Sequence, residues 1–160
     1  MYAGNIYTVR LAPTAITTAK TLIQIKAGAA AIAILDARVY QTTKTSSELL
    51  VVQLIQHTGS PTAGTVTSAT GIPHNPSNAA ALAVGGTSAT GVNATVEPSG
   101  GTANVIMEGV WNVLNGEYQF TDLPESRILV AQTKLFTLKL NTAPAASMTI
   151  GANVRFIEYQ

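Results

Sequence analysis

The chain has 160 residues and a formal net charge of +1, with 46% hydrophobic and 11% charged residues. That balance excludes disorder as the dominant state, and the longest uncharged apolar run, Ala27 to Leu35, falls short of the roughly 20 residues of a membrane span. The chain also lacks the basic excess of a nucleic-acid binder, and with no cysteine it forms neither disulfides nor thiolate metal sites.

From the N-terminus, Met1 to Arg10 shows no basic stretch followed by an apolar core, so synthesis and assembly in a cytoplasm are expected. Segments rich in Val, Ile, Leu, Thr and Tyr then predict strands at Ile6 to Leu11, Thr21 to Ala27, Ala31 to Thr42 and Leu49 to His57. Within the third, Asp36 and Arg38 fall on one face with Ile34 and Tyr40, opposite Leu35, Ala37 and Val39. The two charges are read either as part of a solvated sheet face or as a subunit-interface pair. The fourth strand is apolar on both faces: Leu50, Val52 and Leu54 line one, and Leu49, Val51 and Ile55 the other. Such a strand is covered on both sides, here by a loop of its own chain or by another subunit.

Residues 58 to 104 differ in kind. They consist mainly of Gly, Ser, Thr, Pro, Ala and Asn, with Glu97 as their one formally charged residue. A long excursion from the sheets is expected, with short strands at Gly64 to Ser68 and Val92 to Val96. Asn75-Pro76 before an Ala-rich run predicts an N-cap and first turn of a short helix.

Strands resume at Val105 to Leu114, Glu117 to Phe120, Ile128 to Ala131, Leu135 to Leu140 and Met148 to Tyr159. Alternation places Val105, Met107, Trp111 and Val113 on one face and Glu108 and Asn112 on the other. It likewise sets Phe136, Leu138 and Leu140 against Thr137 and Lys139. Met148, Ile150, Ala152, Val154 and Phe156 oppose Thr149, Asn153 and Arg155. Asn115-Gly116 between two such runs predicts a type I′ hairpin. Eight or nine strands in one domain of this length describe an all-β, two-sheet sandwich.

Charge is partitioned along the chain. Residues 58 to 126 hold no Lys or Arg and five carboxylates, Glu97, Glu108, Glu117, Asp122 and Glu125. This is either chance in a small sample or a dipolar subunit that docks an acidic edge on a basic neighbour.

No constellation points to catalysis. His57 and His74 are the only histidines, read as surface or capping residues, and no cluster has metal-ligand spacing. Ser68, Ser88 and Ser99 lack a nucleophile elbow. The carboxylates Glu117, Asp122 and Glu125 flank a turn at Pro124, the address of solvated acids. Gly85-Gly86 and Gly100-Gly101 lack a phosphate-binding context. Asn93-Ala94-Thr95 matches a glycosylation acceptor without an accompanying secretion signal. Trp111 is expected in the core. No enzyme activity, metal or cofactor is expected.

The run Thr21-Leu-Ile-Gln-Ile, then Ala33-Ile-Leu-Asp-Ala-Arg-Val-Tyr-Gln-Thr, then Ser47-Glu-Leu-Leu-Val-Val-Gln-Leu-Ile-Gln resembles small virion proteins of tailed bacteriophages. A Gly/Thr/Pro-rich stretch with Asn78-Ala-Ala-Ala and a closing strand with Phe156-Ile-Glu-Tyr complete the pattern, which covers most of the chain in style and segment order. The resemblance implies a capsid decoration (cement, or head auxiliary) protein: a single jelly-roll-like β-sandwich of about eight antiparallel strands. It implies a homotrimer bound to the major capsid protein on the outside of the virion, with neither nucleic acid nor membrane as partner. Residues expected at such interfaces are Ile6, Tyr7, Asp36, Arg38, Leu49, Val51, Ile55, His74 and Glu97. The other reading is a tail or baseplate module for carbohydrate, with Tyr2, Tyr7, Tyr118 or Tyr159 forming a shallow aromatic site.

Overall fold

The structure is a computed structural model and describes residues 4–121 and 124–159. In chain order its strands are β1 (Asn5–Ile16), β2 (Lys20–Lys26), β3 (Ala31–Gln41), β4 (Leu49–Thr58), β5 (Thr65–Ser68) and β6 (Ile72–Pro73). They continue with β7 (Gly91–Val96), β8 (Thr102–Asn112), β9 (Tyr118–Thr121), β10 (Leu129–Val130), β11 (Leu135–Leu140) and β12 (Met148–Tyr159). One sheet has the order β10-β3-β12-β1-β6, with β9 also on β3; the other runs β5-β7-β2-β11-β4-β8. Strand neighbours in both are antiparallel. Together they make a β-sandwich.

The alternating segments build the core as their period dictates. Met148, Ile150, Ala152, Val154 and Phe156 of β12 and Phe136, Leu138 and Leu140 of β11 are wholly buried, meeting Leu50, Val52 and Leu54 of β4 in one cluster. Pro13 lies inside β1 without breaking it, because the β1–β12 register shifts between Leu11 and Thr14, where a missing N–H costs no ladder bond.

A bulge changes the expected faces of β3. The register with β12 slips between Arg155/Asp36 and Phe156/Ile34, so Leu35 is the extra residue. Ile34 therefore joins Ile32, Ala37 and Val39 in the core, leaving Asp36 and Arg38 outside on the ladder without it. A second bulge, between Leu54/Met107 and Ile55/Val105, rephases β8, so Val105 faces outward rather than sharing a face with Met107 and Trp111.

Asn115-Gly116 is not a hairpin. Gly116 has φ +83°, but Asn115 does not take the positive φ a type I′ turn requires. Trp111 Nε1 donates to Gly116 O at 2.9 Å, and Asn115 N donates to Asn112 O at 3.0 Å. The chain here leaves one sheet for the other: β8 stays on β4, whereas β9 pairs with β3. The tight corner is set by the buried indole, and burial of the two flanking strands in different layers outweighs local pairing.

The excursion 58–104 contains the two expected short strands, and it widens both sheets. β7 adds to β2 and β5 adds to β7, while β6 adds to β1. Gln24 of β2, fully buried, anchors it: its Oε1 accepts from Gly64 N at 2.9 Å and its Nε2 donates to Ala89 O. The helix expected after Asn75 is absent. Asn75 Oδ1 accepts from Ser77 N and Asn75 O from Asn78 N, both at 3.0 Å, which closes a turn. Beyond it, N–H groups that a helix would use internally go to tertiary partners. The buried Glu158 carboxylate takes Leu82 N at 3.0 Å and Ala83 N at 2.8 Å, and Lys26 O takes Val84 N at 3.0 Å. A helix this short is marginal alone, so charge-assisted bonds from a fixed strand win. Glu158→Ala is expected to cost about 2 kcal/mol by leaving these donors unpaired. Hydrogen exchange at Leu82 and Ala83 should accelerate while β11 and β12 keep their protection.

Candidate functional site

The outward face of the first sheet gathers side chains distant in sequence into register rows. Thr8, Arg155, Asp36 and Thr121 stand opposite one another across β1, β12, β3 and β9, and Arg10, Asn153, Arg38 and Gln119 form the next row. Thr8, Asp36, Arg38, Asn153 and Arg155 line a shallow depression of about 320 Å³. At its base the Asp36 side chain is 1% exposed, against 40% for Arg155. Both Nε and Nη2 of Arg155 donate to Asp36 Oδ2. That bonding raises the pKa of Arg155 above its ordinary value, with burial opposing.

Arg38 is less committed. Its Nε lies 3.7 Å from Asp36 Oδ1, and its Nη1 is 3.5 Å from Glu117 Oε1. Asp36 Oδ1 itself is buried without a hydrogen-bond partner among the described residues. At the rim, His74 Nε2 and the Thr8 hydroxyl are 2.7 Å apart, and His74 N donates to Ile6 O at 2.9 Å.

The second feature lies on the opposite sheet, at its β4–β8 edge. Leu49 is 62% exposed, Val110 59%, Val105 50% and Ile106 46%, with Val51 half-buried directly across from Val110. The Gln53–Glu108 hydrogen bond interrupts this apolar strip. β8 is 11 residues long, and among the described residues β4 is its only strand partner. Native monomers usually blunt such an edge.

The sequence candidates thus divide. Asp36 and Arg38 come together with Arg155; Leu49 and Val51 lie on the strip. Ile6 is half-buried, and Ile55 is covered within the chain at 7% exposure. Tyr7, expected at an interface, is instead wholly inside: its ring stacks on Phe156 and its hydroxyl donates to Ala79 O at 3.0 Å. Glu97 is used internally, accepting from Thr21 N at 2.7 Å and Thr21 Oγ1 at 2.8 Å and facing Lys139 Nζ at 3.3 Å.

The tyrosines of the carbohydrate reading do not converge. Tyr118 pairs with Val39 and Tyr159 with Ala31, near opposite ends of β3; Tyr2 lies outside the described residues. Tyr159 borders an apolar depression of about 480 Å³ with Ala31, Leu129 and Ala131. Sequence reasoning missed Arg155, Asn153, Thr8 and Arg10 as companions of Asp36. Their one signal was their polar positions in alternating strands, which does not reveal the cross-strand partner.

His57 is the buried titratable group of the other sheet, 3.1 Å from the Thr137 hydroxyl. Burial lowers its pKa; Glu97 opposes the shift and Lys139 adds to it. With the folded pKa below the unfolded value near 6.5, the unfolded chain takes up the proton first. Stability is complete above about pH 6.5 and declines as pH falls, by up to about 1.4 kcal/mol per unit, until the folded pKa is passed. His57→Gln is expected to flatten that slope in denaturant midpoints measured between pH 7 and 5.

Among the described residues no group of three or more His, Cys, Asp and Glu side chains is placed to hold a metal ion, and no helix is long and apolar enough to cross a membrane. Comparison with protein-family models, with curated proteins and with solved structures finds no match for this chain.

Proposed function

We propose that this chain is a structural virion protein that binds the outside of a bacteriophage capsid and stabilises it, assembled as a homotrimer. The observation that carries the reading is the exposed apolar strip of β4 and β8. A stable monomer gains nothing from an 11-residue edge strand bearing Val105, Ile106 and Val110 in water, whereas a subunit that buries it against a neighbour gains roughly 25 cal/mol per Å² of apolar surface covered. The uncharged Thr, Ala, Gly and Asn surface adds to this, since it is covered at low desolvation cost.

Strand order supports a jelly roll as the finer description of the sandwich. β1-β12-β3-β9 in one sheet and β2-β11-β4-β8 in the other is an eight-strand arrangement in which the first strand pairs with the last. On this reading β5, β6 and β7 belong to an insertion between β4 and β8, and β10 extends the edge formed by β9.

The test pairs native mass measurement with binding to capsids of the phage that carries the gene. The wild-type chain is expected to be trimeric and to co-sediment with capsids. Val51→Lys with Val110→Lys, facing one another across β4 and β8, is expected to be folded and monomeric. A wild-type monomer that ignores the capsids overturns the proposal.

A further inference from the structure

The face centred on Arg38 and Arg155 has donors in surplus. Arg10, Arg38 and Arg155 stand there against two carboxylates, Asp36 and Glu117, and Asp36 is buried beneath the guanidinium of Arg155. Arg38 reaches toward both carboxylates and holds neither closely, at 3.7 and 3.5 Å. The Asn153 carboxamide and the Arg10 guanidinium have no side-chain partner among the described residues. The depression lined by Thr8, Asp36, Arg38, Asn153 and Arg155 has room for a small acceptor group, and its polar lining is fixed on adjacent β-strands rather than on loops.

From this we infer that the depression is a recognition site for an acidic side chain of a protein partner, whose carboxylate enters between Arg38 and Arg155. Charge complementarity selects this occupant. Arg155 spends Nε and Nη2 on Asp36 Oδ2, which leaves its Nη1 and the loosely held Arg38 guanidinium as donors for a planar carboxylate, with the Asn153 carboxamide as a further donor at the side. Asp36 is the positioning residue: it holds Arg155 by Nε and Nη2 and so fixes the orientation of that guanidinium. Its buried negative charge also moderates the field, which favours a monoanion over a phosphate dianion. The inference deepens the assembly reading and rests on it in taking the occupant to be protein. The apolar strip and this site lie on different sheets, so each can fail alone.

The test is titration of the full-length, ¹⁵N-labelled chain with a triglutamate peptide, observing the Nε–Hε resonances of Arg38 and Arg155. Saturable shifts of both are expected. Arg38→Ala and, independently, Asn153→Ala should each weaken binding, the former roughly tenfold or more, with the backbone amide spectrum of the sheets unchanged. Inorganic phosphate in a parallel titration should bind more weakly than the peptide. Three results would overturn the inference: no saturable shift, equal binding by Arg38→Ala, or phosphate binding as well as the peptide. Val51→Lys with Val110→Lys should bind triglutamate like the wild type, which separates failure of this site from failure of the trimer.

Discussion

Arg155→Met is expected to destabilise the protein by about 3 kcal/mol, and Asp36→Asn by only about 1 kcal/mol, although the two residues share one ion pair. The asymmetry follows from their exposure. The Asp36 side chain is 1% exposed, so removing Arg155 strands a carboxylate that water does not reach. Removing the charge of Asp36 leaves a guanidinium that is 40% exposed and regains hydration. Arg38, with Nε at 3.7 Å, can close on the orphaned carboxylate; this places the Arg155 cost at the lower end of the range for broken buried pairs. Asp36→Leu combined with Arg155→Met should recover much of the loss, because an apolar pair of similar volume carries no desolvation penalty. Urea unfolding of the variants checks the order. If Asp36→Asn proves the more damaging, the carboxylate is organising more of the sheet than this pair.

Trp111→Ala should be the more destructive change, costing about 3–5 kcal/mol. The indole is 1% exposed and sits where the chain passes from β8 in one sheet to β9 in the other. Truncation opens a cavity between the layers and removes the donor that holds Gly116 O at 2.9 Å. Trp111→Phe separates the two contributions: it retains much of the packing, loses the hydrogen bond and should cost about 1–2 kcal/mol. Because Trp111 is the only tryptophan, circular dichroism rather than fluorescence must follow unfolding. A loss for the phenylalanine variant close to that for alanine would place most of the effect in the corner hydrogen bond.

Nearly every strand was legible as a run of β-branched and aliphatic residues, and the core faces of β11 and β12 could be read directly from alternation. Reading failed where one extra residue changes the phase. The bulges at Leu35 and Ile106 put the strand on either side of them out of phase, and Val105, just before Ile106, is surface for that reason. Asn115-Gly116 misled differently. Its dipeptide favours a tight turn, but local preference does not say whether the next strand returns to the same sheet. The helix expected after Asn75 failed because its competitor, Glu158, lies 83 residues away from Asn75 in the chain.

Asp36 and Arg38 were visible as unusual charges in a strand, whereas Arg155, 119 residues from Asp36, was not identifiable as their partner. The exposed strip was half legible: an apolar outer face on β4 was clear, and its exposure was not, since cover is a property of neighbours.

Composition and period, then, determined an all-β chain with a sandwich core and a bland central excursion, because hydrophobic burial and side-chain alternation act locally and additively along a strand. Tertiary structure alone decided which strands became neighbours, which charges met, and which apolar face was left open. Those outcomes depend on register and layer, and pairing energy between distant segments sets both.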